Sequence, residues 1–120
     1  MTTASLLQSA AAALESLDAE DLVSHYADDF LFEDTPQDLR ITGREQLMSY
    51  YRNLFALPAV KFEVTSMFHC EGWAGLEWIW SGTKPGQDAG YRIKGASIIE
   101  IGDGKIAREA IYYDPRPALD

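Results

Sequence analysis

Several common signatures are scarce in this chain. One cysteine, Cys70, stands among 120 residues, so no internal disulfide can form and a reducing, cytoplasmic setting is favoured. Two histidines, His25 and His69, with that single cysteine give no metal-ligand spacing, and no metal centre is expected. Positive charge is short as well: 10 Lys and Arg against 19 Asp and Glu leave a net charge of -9. An acidic surface offers no counter-charge to phosphate backbones or anionic headgroups, so neither nucleic acid nor a membrane is expected as a partner. No apolar run approaches membrane-spanning length, and the first twenty residues lack the basic flank of a secretory leader. A glycine-rich phosphate loop is missing too, since "GDG" reads as a hairpin turn and not as a strand-to-helix junction.

What the chain does have is aromatic surface: six Tyr, five Phe and three Trp. Such side chains suit either a core or a cavity wall. The length fits one domain spanning 1–120, large enough to bury a core without disulfides or metals. Leu6, Leu7, Ala10, Leu14 and Leu17 recur at steps of three and four, predicting a helix over 4–16. Asp18 is a cap for a second helix that stops near Ala27. Phe30, Phe32 and Asp34 alternate with Leu31 and Glu33, a short strand with both phenylalanines and Asp34 on one face. Thr42, with Glu45 three residues on, is a capping box for a third helix carrying Leu47, Met48, Tyr51, Leu54 and Phe55 inward and ending before Pro58. Strands follow over 60–69, 73–82, 91–101 and 105–113. Helices first and strands last predict an α+β fold, with the helices on one face of a curved, mostly antiparallel sheet.

Strand alternation sorts the candidates. Leu76, Trp78 and Trp80 share one face of their strand; Ile93, Ser97, Ile99 and Ile101 share one face of the next. The opposite face there, with Lys94, Ala96, Ile98 and Glu100, mixes apolar and charged groups as a surface covered by a second subunit would, and suggests a homodimer. Tyr113 shares its face with Ile111 and Glu109, and a buried Glu109 would need a partner, Tyr51 or Ser97. Asp34 is either a strand-end carboxylate bonded to the amides of Thr35 or Gln37, exposed to solvent, or a base in an apolar site beside Phe32, Trp78 and Tyr51. His69 suits proton transfer at neutral pH, though histidines in strands also pack or meet solvent, and His25 falls on the polar side of a short helix. Trp78 and Trp80 read as wall residues that enclose either a ligand or other side chains. Asp114, before Pro115, is most simply a strand terminator.

With this order of elements, the segments "HYADDFLFEDTP", "ITGREQLMSYY", "GTKPG" and "IGDGKIAREAIYYDP" resemble the nuclear transport factor 2-like superfamily. The likeness is to its SnoaL-like branch, beside polyketide cyclases, ketosteroid isomerases and limonene epoxide hydrolases. It implies a cone in which the sheet wraps around three helices and leaves an apolar cavity whose lining decides function. Ketosteroid isomerases keep their general base at a similar "ED-P" segment, and it matches Asp34. Their two oxyanion donors, a tyrosine and a protonated aspartic acid, fall on Ala10 and Ser97, so both strong donors are missing unless Tyr26, Tyr51 or Tyr113 substitutes. Positions similar to the catalytic set of limonene epoxide hydrolases hold Phe32, Asp34, Trp78, Trp80 and Ile111, and none of the five matches. His69 lies near one of the histidines of scytalone dehydratase, and Asp34 or Asp114 with His69 are candidates for the aspartate and histidine of SnoaL-type cyclases.

The resemblance thus implies a cavity for a small, apolar, carbonyl-bearing molecule, lined by Phe32, Tyr51, Phe55, Trp78, Trp80, Ser97, Ile111 and Tyr113. Asp34, with His69, would isomerise, cyclise or dehydrate it without a cofactor. The rival expectation is a non-catalytic binding or accessory module in which the same cavity holds a ligand or is filled.

Overall fold

The computed structural model describes residues 2–119 and has an α+β fold. Helix α1, Thr3–Glu15, starts where the Thr2 hydroxyl accepts from the Ser5 amide at 3.0 Å, and it buries Leu6, Leu7, Ala10, Ala11 and Ala13. Asp18 caps α2, Ala19–Val23, as expected, taking the Asp21 amide at 3.0 Å. That helix ends four residues before Ala27, because other groups claim the backbone beyond it. The Arg44 guanidinium donates to the Val23 carbonyl at 2.9 Å and the Tyr26 carbonyl at 3.0 Å, and the His25 carbonyl accepts from Ile106 at 2.9 Å.

Strand β1 therefore runs over Tyr26–Asp34, longer than the alternation suggested. Its register against the last strand shifts between Tyr26 and Leu31, a bulge that lets Asp28 and Asp29 face solvent inside a strand. A 3-10 turn, Thr35–Gln37, and Asp38 at φ 52° reverse the chain into a short strand β2, Leu39–Ile41, which the sequence reading did not anticipate. Helix α3, Arg44–Phe55, does not use the Thr42 capping box: Gly43 is its N-cap, without a side-chain bond, and the first helical residue is the Arg44 that ties α2 to β1. Leu47 and Tyr51 face the core.

Four long strands follow close to the expected bounds: β3 Lys61–Cys70, β4 Trp73–Thr83, β5 Gly90–Gly102 and β6 Lys105–Tyr113. A last turn of helix, α4 Arg116–Leu119, was not anticipated. The sheet order is β2-β1-β6-β5-β4-β3, with β1 and β6 parallel and the other neighbours antiparallel. The parallel pair joins the first strand to the last, and it sets Phe32 opposite Glu109 and Asp34 opposite Ile111. The sheet curves around the helices, and one apolar core forms between them, from Leu6, Leu7 and Leu22 through Phe30 and Phe32 to Trp78 and Ile99. No helix among the described residues is long and apolar enough to cross a membrane.

Candidate active site

Between the helices and the concave face lies a hydrophobic cavity of about 340 Å³, at the lower end of the range of roughly 300–1,000 Å³ typical of small-molecule sites. Strand alternation puts Phe32, Trp78, Trp80, Ser97, Ile111 and Tyr113 on its wall, and α3 adds Tyr51. Ala10 of α1 also lines it, and its small side chain leaves room for a ligand. Phe55 is displaced from its expected place: it backs the wall, stacked on Tyr51 with centroids 5.6 Å apart and edge-on to Phe62. The Trp80 indole N–H is buried with no hydrogen-bond partner among the described residues.

Asp34 is fully buried, 0% exposed, which removes the solvent-exposed strand-end reading. Nor does it bond to the amides of its turn. Instead side chains converge on its carboxylate. The Tyr50 hydroxyl donates at 2.7 Å, the Tyr113 hydroxyl at 2.8 and 2.9 Å to the two oxygens, and the Gln37 amide at 2.8 Å. Gln37 also donates to the Tyr113 oxygen at 2.9 Å. These three donors line the cavity and Asp34 does not, so the carboxylate sits one layer behind the wall. Burial first, then the Asp34 charge, drives the Tyr50 hydroxyl far above its ordinary range. Tyr113 is raised as well, chiefly by burial, so both phenols remain donors.

A second carboxyl does face the cavity. Glu109 is 7% exposed and lies in the wall. It accepts a short hydrogen bond from Tyr26, whose hydroxyl is 2.8 Å from that of Tyr51. Ser97 stands beside it, and the Ser97 hydroxyl accepts from the Trp78 indole at 3.0 Å. Of the two partners expected for Glu109, Ser97 is adjacent and Tyr51 is reached through Tyr26. Desolvation pushes the Glu109 carboxyl above the ordinary range, partly offset by its bonds to Tyr26 and Ser97. Tyr26 and Tyr51 are held well above theirs, again mainly by burial.

His69 is not brought to this site. It pairs with Ala74 near the outer end of β3, and its side chain is exposed. A histidine partner for Asp34 is thus ruled out by position. His25 is buried, with Nδ1 2.7 Å from the Asp21 carbonyl, a local bond that closes α2. Asp114 is outside the site too, paired with Arg116 in the last turn, where that guanidinium holds its carboxyl down to about 2. The sequence reading missed Tyr50 and Gln37, because helical spacing marks only Tyr51 of the adjacent tyrosines and Gln37 lies in a polar turn.

A curved sheet closed over helices around an apolar cavity defines the cone class of α+β proteins. Residues 7–109 match the model of the SnoaL-like domain family, and the chain belongs to that family. A hypothetical protein from Catenulispora acidiphila with a ketosteroid isomerase-like fold, solved in complex with trimethylamine, is 21% identical over 98% of this chain and 92% of its own, with a TM-score of 0.86. An NTF2-like protein from Burkholderia thailandensis shares 13% identity over 99% of this chain and 95% of its own, with the same TM-score of 0.86. A candidate SnoaL-like polyketide cyclase from Shewanella denitrificans shares 18% over 98% and 93%, with a TM-score of 0.78. At these identities the likeness is one of fold. No protein of curated function matches the sequence.

Proposed function

We propose that the chain binds a small, largely apolar molecule with a carbonyl group and moves a proton on it without a cofactor, as in isomerisation, cyclisation or dehydration. The observation that carries this reading is a cavity of about 340 Å³ with aromatic walls and two buried carboxyl groups, one in its wall and one directly behind it. Aromatic faces supply binding energy, and the dry setting strengthens each polar contact.

Asp34 is the base in this reading. Its cover includes Gln37, which is exposed on the 3-10 turn at the cavity rim and is the one donor of the three outside helix and strand. When Gln37 swings away, one lone pair of Asp34 opens toward the bound molecule. The C–H bond beside the carbonyl then breaks, its proton joins the Asp34 oxygen, and the electron pair forms the enolate. Return of the proton to another carbon completes an isomerisation; attack of the carbanion on a second carbonyl closes a ring, and the alkoxide that forms takes the proton back from Asp34.

The alternative is a binding module, and the saturated hydrogen bonding of Asp34 favours it. A simple enolisable ketone separates the two. With 2-tetralone in heavy water, NMR should follow protein-dependent loss of the α-protons, and Asp34→Asn should slow it by on the order of 10²-fold or more while binding persists. Binding with no exchange in the unaltered protein would establish the module, and exchange untouched by Asp34→Asn would remove Asp34 as the base.

We also propose a homodimer through the convex face of the sheet. Phe68, Gly75, Ile98 and Ala110 lie in one register row across four strands, and Phe68 and Ile98 are 65% and 47% exposed. The Phe68 ring lies over Gly75, the residue between it and Ile98, and Ala110 ends the row with a small side chain, so an identical row can lie against it under a twofold axis.

A further inference from the structure

The resemblance leaves the cavity without its two usual oxygen-binding donors, since Ala10 and Ser97 occupy those places. Counting polar hydrogens on the buried wall shows what replaces them. Both hydrogens of the Gln37 amide are engaged, one with Asp34 and one with Tyr113. The Tyr50 and Tyr113 hydroxyls both point to Asp34. Trp78 donates to Ser97, Ser97 and Tyr26 donate to Glu109, and Tyr51 then has its hydrogen on Tyr26. The Trp80 indole lies against Tyr91, toward which its N–H is available, and stands level with Ile93, six residues along β5 from Ile99, which pairs with Glu109. That spacing is about 20 Å along the strand and belongs to the other end of the cavity.

We infer that Glu109, as the neutral carboxylic acid, is the hydrogen-bond donor that receives the ligand's carbonyl oxygen, and that Tyr26 and Tyr51 position it from behind. This inference rests on the carbonyl-binding reading above and names its oxygen-binding residue. Glu109 accepts from Tyr26 and from Ser97, so the acid's own proton is the wall hydrogen that these bonds leave over for the cavity. Burial favours the neutral form of Glu109 and outweighs the hydrogen bonds from Tyr26 and Ser97, which favour the ionised one. Tyr26 of β1, Tyr51 of α3, and Ser97 and Ile99 of β5 surround it, and among the described residues no Lys, Arg or His lines the cavity. Its raised carboxyl range agrees with this. The same wall has no cation for a carboxylate or phosphate, so the ligand class is a neutral molecule with an acceptor oxygen. As Asp34 takes a proton from carbon, the enolate oxygen that forms strengthens its bond to the Glu109 proton, which need not leave Glu109.

The test compares 2-tetralone, which has an acceptor oxygen and no donor, with its carbonyl-free counterpart tetralin, by the fluorescence of the cavity tryptophans. At about pH 6 the ketone should bind on the order of tenfold more tightly than tetralin, and that preference should fade as pH rises through the Glu109 titration. In Glu109→Gln the amide still donates, so the preference should persist and no longer depend on pH. In Glu109→Leu it should vanish. Carboxyl carbon NMR of the ligand-free protein, with Glu109→Gln to assign the signal, should find Glu109 titrating above the ordinary carboxyl range. A Glu109 that titrates within or below that range, or a ketone preference in the unaltered protein that does not change with pH, overturns this inference alone. So does trimethylammonium binding that strengthens as pH rises, since Glu109 would then anchor a cation. Failure of both bicyclic compounds to bind overturns the cavity reading, and this inference falls with it.

Discussion

Asp34 gathers three donors that have no other buried acceptor of comparable strength. Asp34→Ala leaves the Tyr50 and Tyr113 hydroxyls aimed at a void, while the exposed Gln37 amide can turn to solvent. The expected loss is about 2–4 kcal/mol, read as a lower urea midpoint at unchanged slope. A loss well under 1 kcal/mol would mean that these donors find water or new partners at little cost. Glu109 adds a pH signature of the opposite sense to an ordinary paired carboxylate. Its folded range is raised, so the folded state holds the proton more tightly than the unfolded chain. The stability it contributes is full below the ordinary carboxyl range and is lost as pH rises through its folded value. Much of this was legible at the residue scale: alternation put Asp34 with Phe32, and Glu109 with Ile111 and Tyr113. The partners were not, because Tyr26 and Glu109 are 83 residues apart and meet only through the parallel pairing of β1 with β6. No local pattern announces that pairing.

Among the elements, periodicity was a good guide wherever one face is buried along the whole length. Helix α1 and strands β4 to β6 fall within a residue or two of their expected bounds for that reason, and β3 does so although its outer half is exposed, because the turns at Pro58 and Gly72 bound it. It failed where tertiary contacts override it: Arg44 ends α2 early, and the bulge in β1 hides a strand inside the acidic run "YADD". It failed again for His69, whose place on the concave face follows from register but whose exposure depends on its position at the outer end of β3. Strands β4, β5 and β6 together hold the wall in shape through one glycine. A Cβ on Gly95 would stand 2.2 Å from the nearest ring carbon of Trp78. Gly95→Ala should therefore push the indole toward the cavity, break its bond to Ser97 and cost about 1–3 kcal/mol. Near-ultraviolet circular dichroism should change and 2-tetralone binding weaken. A variant with native spectrum and affinity would mean that the wall is soft and the cavity adaptable.

At the scale of the molecule, the helices cap the concave face and leave the convex face bare. Phe68, Trp73, Ile98 and Tyr112 remain 44–65% exposed, an apolar grouping that a monomer seldom displays. Sedimentation equilibrium should give twice the chain mass of 13.4 kDa, and Ile98→Glu should return it to one. A monomer at every concentration would leave that face for another purpose. The cone itself was legible from the order of elements and the family segments, while the sealing of Asp34 and the inward turn of Glu109 depend on the closed shape. The central claim is that this closed shape encloses a ligand site, and a crystal structure of the protein with 2-tetralone tests it most directly. The predicted result is the bicyclic ring held among Phe32, Trp78 and Tyr113 with its oxygen at hydrogen-bonding distance from Glu109; a cavity closed by repacked side chains, with the ketone absent or bound elsewhere, would contradict it.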